Sequence, residues 1–188
     1  MIKNTIVFLM AMAGTGKRTI AQEIIKQDNG FKFIHNHSMI DPILSLLEDC
    51  RPPLDNAYIA INQIRDVIFN AMVNLSSQDA NFVISNEMLS SNPLSQEFFN
   101  AISNTASQRQ ARFIPIRLLC KDLEKYLGRG TAADRAAYFK ARDIDALTQR
   151  FKHEHVFLSN LPTEFTLDVT SLSAKQSAQT ILAHLHLK

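Results

Sequence analysis

Apolar and polar residues follow two different rhythms along the chain. Short, nearly continuous apolar runs predict five β-strands, at residues 6–10, 31–34, 81–85, 112–119 and 165–169. Between these runs, apolar residues recur every three or four positions, as on one face of an α-helix. Strands that alternate with helices predict an α/β fold, a three-layer sandwich whose five-stranded, mostly parallel sheet has helices on both faces.

Local signals predict where several helices begin. Asp41 followed by Pro42 predicts a helix with Asp41 as N-cap and Pro42 at its first position. A long amphipathic helix is expected to begin near Asp55. A capping box formed by Ser173 and Gln176 is expected to open the last helix.

Prolines mark two further positions. Pro115 lies inside the fourth predicted strand, where the missing N–H predicts a bulge or an edge position. The sequence Arg51-Pro52-Pro53 predicts a hinge or turn before the long helix. Residues 93–108 are expected to be helical, and no linker or repeat divides residues 1–188, so one domain is expected.

The first apolar run leads into a glycine-containing turn and then a helix. Gly14-Thr15-Gly16-Lys17 follows the strand directly, and this order is typical of the phosphate-binding P-loop. Glycines let backbone N–H groups converge on phosphate oxygens, and the helix N-terminus adds partial positive charge. Lys17 is then expected to reach the β- and γ-phosphates of a nucleotide.

The turn departs from the pattern G-x-x-x-x-G-K-[ST] in two places. Ala11 replaces the first glycine, and Arg18 replaces the hydroxyl residue, with Thr19 one position later. Two other interpretations stay open: a turn that binds nothing, or a short signal peptide made of Lys3, the apolar run and a small-residue cleavage site in Ala11-Met12-Ala13. The residues predicted to bind nucleotide are Ala13, Gly14, Thr15, Gly16, Lys17, Arg18 and Thr19, with Thr19 also a candidate metal ligand.

Polar residues follow the second strand. Ligands of open α/β sheets bind at the carboxyl ends of the strands, which selects residues 11–19, 35–37, 86–87, 120–122 and 170–173 as one surface. His35, Asn36 and His37 are predicted to bind a phosphoryl acceptor there. A neutral histidine can accept a proton from a hydroxyl group, so His37 is a candidate catalytic base. The alternative is a polar loop that caps the next helix.

Three charged residues have two interpretations each. Asp41 is either a catalytic acid–base group or only an N-cap. Glu87, which follows the third strand beside the predicted acceptor-binding residue Asn86, either holds a Mg²⁺-bound water or acts as base, or is a solvated carboxylate. Arg65 on the long helix either binds an anionic substrate or forms a surface ion pair.

Composition excludes some classes of function. The chain has 188 residues and a formal net charge of +2, too small to indicate nucleic-acid or membrane binding. Its two cysteines, Cys50 and Cys120, indicate no disulfide framework and no zinc site of their own. A cytoplasmic protein is therefore expected, either a monomer or a homodimer.

The motifs together resemble the P-loop small-molecule kinases, the group of adenylate, shikimate and gluconate kinases. Adenylate kinases also have a lysine, a residue without a hydroxyl and then a threonine, as in Lys17-Arg18-Thr19. The segments HNHSMIDPI, ARFIPIRLLCKD, DRAAYFKARD and LDVTSLSAKQSAQTIL resemble bacterial proteins described as AAA-family ATPase or shikimate kinase-like. Shikimate is not expected as the substrate, because the D-x-D and glycine-rich motifs of shikimate kinases are absent.

The resemblance implies a P-loop NTPase sandwich, with ATP and Mg²⁺ as cofactors, that phosphorylates a small hydroxylated or phosphorylated metabolite. The arginine-rich residues 128–142 resemble the mobile lid of the group. Arg129 is expected to bind nucleotide there, while Arg135 and Arg142 are expected to neutralise transition-state charge. The alternatives are a solvated helix for this segment, and a P-loop ATPase without an acceptor or a non-catalytic nucleotide-binding module for the whole chain.

Overall fold

The computed structural model describes residues 2–47, 55–131 and 143–187, except for the side chains of residues 55 and 56. Its strands are β1 (Thr5–Ala11), β2 (Phe31–His35), β3 (Asn81–Glu87), β4 (Arg112–Leu119) and β5 (Phe165–Asp168). Its helices are α1 (Lys17–Gln27), α2 (Asn36–Leu44), α3 (Asp55–Asn74), α4 (Pro93–Gln108), α5 (Leu123–Gly130), α6 (Ile144–His153) and α7 (Ala174–Leu187). The predicted hinge at residues 51–53 lies outside the described residues.

The five strands form one parallel sheet in the order β2-β3-β1-β4-β5. This confirms the predicted α/β fold. The first apolar run is the central strand, and residues 6–11 have no exposed surface. A strand with helices on both faces needs apolar residues at every position, which is the reason for the continuous run.

Alternate residues of β1 face two separate cores. Ile6, Phe8 and Met10 join the core that includes α3 and α4, whereas Val7 and Leu9 join the core of α1 and α7. The sheet therefore lies between two layers of helices. Because the strands are parallel, the carboxyl ends of all five lie along one side of the sheet, which we call the carboxyl edge. The amino ends of the strands lie along the opposite side, which we call the amino edge.

The start of α2 differs from the prediction. The helix begins at Asn36 with His35 as N-cap, so Asp41 and Pro42 lie inside it and Asp41 is not an N-cap. The proline costs this helix one i→i−4 hydrogen bond. Met39 and Leu44, both buried on the same helix, keep it packed on the sheet in spite of that loss. Tertiary packing therefore overrides the local Asp-Pro start signal.

Other local predictions are confirmed or refined. Pro115 lies opposite Phe8 of β1 in an unbroken register, and β5 pairs with β4 only from Ile116 onward. The proline therefore has a neighbouring strand on one side only, a local edge without a bulge. The Ser173–Gln176 capping box forms as predicted, with N–H···O distances of 2.9 and 3.2 Å.

The amino edge contains a buried arginine. Arg109 is 2% exposed. Its guanidinium donates to the carbonyl oxygens of Met72, Ser77, Gln78 and Ala80, to the Ser76 hydroxyl, and lies 5.1 Å from the Phe82 ring centroid. These acceptors come from the C-terminal turn of α3 and the loop to β3. The last carbonyl groups of a helix have no backbone N–H partner within the helix. Arg109 donates to such groups at the end of α3 and in the following loop, and thereby connects α3 to the sheet.

Candidate active site

The P-loop sequence forms a tight turn between β1 and α1. Gly14 and Gly16 have φ angles of 89° and 98°, values that residues with a Cβ rarely adopt, and Gly16 is the N-cap of α1. The Thr15 hydroxyl closes the turn by donating to the Met12 carbonyl over 2.9 Å. The two glycines are therefore required by the backbone path, which leaves the first helical N–H groups pointing toward the carboxyl edge.

Lys17 lies against this turn. Its Nζ donates to the carbonyl oxygens of Ala11 and Met12 over 3.2 and 2.8 Å. The ammonium group is therefore held at the carboxyl end of the central strand, where a phosphate bound in the turn would contact it. Arg18 is half-buried on the next position of α1, and Thr19 is exposed.

The end of β2 brings together two histidines and an aspartate. His37 Nδ1 lies 2.7 Å from Asp41 Oδ1, one helical turn along α2. The rings of His35 and His37 stack with centroids 5.1 Å apart. Asp41 therefore fixes the orientation of the His37 ring, a function that its predicted N-cap position would not allow. Of the two capping interpretations, the one for Asp41 is wrong, whereas His35 does form the N-cap of α2, without a side-chain cap hydrogen bond.

Arg65 is half-buried beside this cluster. Its guanidinium contacts the side-chain oxygens of Asn62 and Asn36 over 3.0 and 3.5 Å and lies 4.6 Å from the Phe98 ring centroid. Its Nε is buried without a hydrogen-bond partner. Burial lowers the pKa of Arg65, since desolvation disfavours the charged form. Within the described ranges no carboxylate pairs with it, so the surface ion pair considered above is not found among these residues.

Glu87 is the last residue of β3 and lies across from Ala11 in the β1–β3 register. Its Oε1 accepts hydrogen bonds from the Ala13 N–H over 2.9 Å and from Arg150 Nη1 over 2.8 Å. The carboxylate thus contacts the P-loop directly. Arg150 was not among the predicted site residues, because it lies in α6, 63 positions along the chain, with no motif around it.

Two predicted residues bind elsewhere on the carboxyl edge. Arg129 donates to the carbonyls of Val169, Thr170 and Leu172 over 2.9 to 3.4 Å, so it holds the loop after β5. The Asn86 amide contacts Met88 Sδ at 3.8 Å. Both residues line the edge, and their contacts with ligands stay predictions.

The loop after β5 is also held by an ion pair. Asp168 accepts from the Thr170 hydroxyl and N–H over 2.5 and 2.9 Å and pairs with Lys121 over 3.1 Å. The Thr170 hydrogen bonds, with a smaller contribution from Lys121, lower the pKa of Asp168 to about 2. Cys120, at the end of β4, is buried as a core residue.

Close packing ties the P-loop to α5 and α6. A Cβ on Gly14 would lie 3.1 Å from the Gly130 Cα, and a Cβ on Gly130 would lie 2.8 Å from Leu147 Cδ1. Gly130, which lies within the predicted lid, therefore serves as a packing residue at the end of α5. Arg135 and Arg142 lie outside the described residues, and the lid at 128–142 stays a prediction.

The described residues fit a metal that is held mainly by phosphate. They contain no group of three His, Cys, Asp or Glu side chains able to hold a metal ion. Mg²⁺ in phosphoryl-transfer sites is commonly bound by one or two carboxylates together with phosphate oxygens and waters. Glu87, whose carboxylate touches the P-loop, suits that arrangement, whereas the exposed Thr19 hydroxyl is less favourably placed.

Several solved structures with this architecture are small-molecule kinases. A gluconokinase from Sinorhizobium meliloti 1021 aligns with a TM-score of 0.63 at 13% identity, over 100% of this chain and 94% of its own. The chain has the fold of the P-loop small-molecule kinases. The sequence itself matches no protein-family model and no curated protein sequence.

Two other kinases show the breadth of this fold. Thymidylate kinase from Candida albicans aligns with a TM-score of 0.62 at 15% identity, over 98% of this chain and 92% of its own. Shikimate kinase from Acinetobacter baumannii aligns with a TM-score of 0.52 at 18% identity, over 97% and 93%. Among the helices described, none has the length and apolar character needed to span a membrane.

Proposed function

We propose that the protein is an ATP- and Mg²⁺-dependent kinase that phosphorylates a small hydroxylated or phosphorylated metabolite. The observation that carries this proposal is the contact of 2.7 Å between His37 and Asp41 after β2, at the same edge of the sheet as the P-loop. His35 aligns with Ser85 of β3, which aligns with Leu9 of β1. Two strand spacings, about 10 Å, therefore separate the end of β2 from the central strand.

This spacing suits transfer between two bound molecules. The P-loop amides and Lys17 would hold the phosphates of ATP at the end of β1, and the acceptor would lie over β2 and β3. Bound Mg²⁺ would neutralise phosphate charge, with the Glu87 carboxylate and the Thr19 hydroxyl as the candidate protein ligands. A histidine held by a carboxylate over the end of β2 suits the activation of an acceptor hydroxyl, which favours a kinase over an ATPase that needs no acceptor.

His37 would act as the general base. When Nδ1 donates its hydrogen to Asp41, Nε2 is the nitrogen that can accept the proton of an acceptor hydroxyl. The Asp41 carboxylate then stabilises the imidazolium that forms. Asn36, directly after β2, and Asn86, next to the last residue of β3, would orient the acceptor by hydrogen bonds.

Arg65 would bind an anionic group of the acceptor. A half-buried guanidinium with few hydrogen-bond partners has lost hydration that an anion can replace. Because Arg65 contacts Asn36, the residue before His37, the anionic group and the reacting hydroxyl must lie on the same small molecule, a few bonds apart. Hydroxy acids and sugar phosphates have this form.

A substrate screen tests the proposal. The protein is incubated with ATP, Mg²⁺ and pools of hydroxy acids, sugars and sugar phosphates, and ADP release is measured. We expect ADP only in pools that contain a particular acceptor, and loss of that dependence in His37→Ala. ADP formed equally in every pool would identify an ATPase, and nucleotide binding without ADP would identify a non-catalytic module.

A further inference from the structure

The carboxylate of Glu87 binds two donors that a phosphate would also seek. One donor is the Ala13 N–H of the P-loop, at 2.9 Å, and the other is the Arg150 guanidinium, at 2.8 Å, both directed at the same oxygen. The side chains of Glu87 and Arg150 are each 34% exposed, so neither is sealed in the core. The pair therefore lies where a ligand in the P-loop can reach it.

The backbone around Arg150 is held in place on several sides. Leu147, one turn before it on α6, is buried against Gly130, and the Phe151 ring lies 5.2 Å from the Tyr126 ring. The segment after α6 is hydrogen-bonded to the segment after β3. Its contacts are the bridge between Leu89 and Val156 and the bonds from the Ser90 and Phe157 N–H groups to the carbonyls of His155 and Met88. Arg150 is therefore kept beside the P-loop by elements that do not depend on Glu87.

Glu87 itself can release both donors by a change of side-chain rotamer. Its backbone is fixed by the pairing of β3 with β1, but its three side-chain torsions are not constrained by a third contact among the described residues. A triphosphate carries several charges and more acceptor oxygens than one carboxylate. It is therefore the stronger partner for a backbone N–H and a guanidinium placed side by side.

We propose that the Glu87 carboxylate is an internal counter-ion of the phosphate site, which occupies the Ala13 N–H and Arg150 until a polyphosphate displaces it. Arg150 then becomes a phosphate-binding residue, and Glu87 turns away from it. The inference rests on the proposed function, since it requires a P-loop that binds a triphosphate. It assigns to Arg150 a role that no motif in the sequence indicates, and to Glu87 a role before the reaction begins.

Binding of inorganic tripolyphosphate tests this inference without catalysis. Calorimetric titrations in EDTA at low ionic strength compare the unmodified protein with Glu87→Gln and Arg150→Met. We expect Glu87→Gln to bind tripolyphosphate at least about fivefold more tightly, because one competing negative charge is gone. Arg150→Met is expected to bind about tenfold more weakly, because one charged donor is lost, and Arg150→Lys should fall in between.

Glu154→Gln is the matched control. It removes the same charge only four residues from Arg150, but Glu154 contacts the Ser91 hydroxyl and not the P-loop. Its affinity for tripolyphosphate should equal that of the unmodified protein. Glu87→Ala serves as a second variant in case the glutamine substitution perturbs folding, which near-UV circular dichroism monitors, and it should also bind more tightly.

The outcomes separate this inference from the proposed function. Equal affinities in Glu87→Gln, Glu87→Ala and Glu154→Gln would overturn the counter-ion, and so would an unchanged affinity in Arg150→Met. In that case Lys17→Ala would still weaken binding, and the kinase proposal would stand. If the unmodified protein failed to bind tripolyphosphate at all, both the P-loop assignment and the counter-ion would be wrong.

Discussion

Arg109 and Arg65 have similar chemical surroundings but differ in how many hydrogen bonds their guanidinium groups make. Each lies over a phenylalanine ring, and burial lowers the pKa of each. Arg109, at the amino edge, donates to four backbone carbonyls and a hydroxyl, whereas Arg65, at the carboxyl edge, contacts only two amide oxygens, one of them at 3.5 Å.

This difference in hydrogen bonding distinguishes an arginine that stabilises the fold from one that is a candidate for binding a ligand. A buried cation with as many hydrogen-bond acceptors as Arg109 has stabilises the fold, because its removal leaves those acceptors unsatisfied. A buried cation with few partners contributes little to the fold and is available to a ligand. Arg109 at the amino edge therefore connects α3 to the sheet, whereas Arg65 at the carboxyl edge has few hydrogen-bond partners among the described residues.

Removing the structural arginine should have the largest effect. Arg109→Met leaves several carbonyls at the end of α3 without a donor, and we expect the free energy of unfolding to fall by about 3 kcal/mol. Chemical denaturation measures this loss. An unchanged denaturation midpoint would show that water replaces the guanidinium and that the comparison between the two edges does not hold.

Lys17→Ala is expected to lower activity and leave stability almost unchanged, in contrast to Arg109→Met. Loss of a preorganised charge at the P-loop should lower phosphoryl transfer at least about 100-fold, while the denaturation midpoint stays near that of the unmodified protein. Initial rates with a saturating acceptor, measured together with thermal melting, check both halves. Near-normal turnover in the folded variant would exclude the P-loop from the reaction.

His37→Ala should reduce the turnover number by about 100-fold with little change in ATP affinity, because the base acts on the acceptor and not on the nucleotide. Asp41→Asn should have a smaller effect in the same direction, since the ring remains but loses its charged partner. Fluorescent-nucleotide binding and steady-state kinetics separate the two parameters. A collapse of ATP affinity with the acceptor's KM intact would assign the cluster to the nucleotide.

Arg65→Met tests the comparison between Arg65 and Arg109 most directly. We expect the KM for the acceptor to rise about tenfold, from the loss of one charge-assisted hydrogen bond, and the free energy of unfolding to change by less than about 0.5 kcal/mol. The same substitution at Arg109 serves as the control. If Arg65→Met unfolds the protein as Arg109→Met does, then Arg65 is structural and the acceptor's anionic group must bind elsewhere.

The substitution Asp168→Asn should have the smallest effect, a small loss of stability. Its pKa is lowered to about 2 from 3.8, so its stabilising contribution is present above about pH 4 and is lost as the pH falls toward 2. Because its side chain is 42% exposed, solvent screening limits that contribution to about 1 kcal/mol or less. Asp168→Asn should therefore lower the melting temperature slightly at pH 7, and the difference should narrow between pH 4 and 3. A difference that grows on acidification would contradict this assignment.

The sequence alone determined the fold class and the glycine-containing turn of the candidate site. Continuous apolar runs and three-to-four spacing are properties of single segments, and the resulting strand–loop–helix order around Gly14, Gly16 and Lys17 is local in the chain. The parallel sheet, the long helix α3 and the capping box of α7 follow from such local patterns and are confirmed.

Only the tertiary structure decided the partners of the charged residues. The Asp-Pro signal favoured a helix start at Asp41, but packing of Met39 and Leu44 begins α2 earlier and thereby places Asp41 one turn from His37. Glu87 meets Arg150 across 63 positions, and nothing local to either residue records the contact. Arg65 and Arg109 also look alike in sequence. Whether a charge is satisfied depends on which acceptors the folded chain brings within about 3 Å of it, and that is a property of the whole fold.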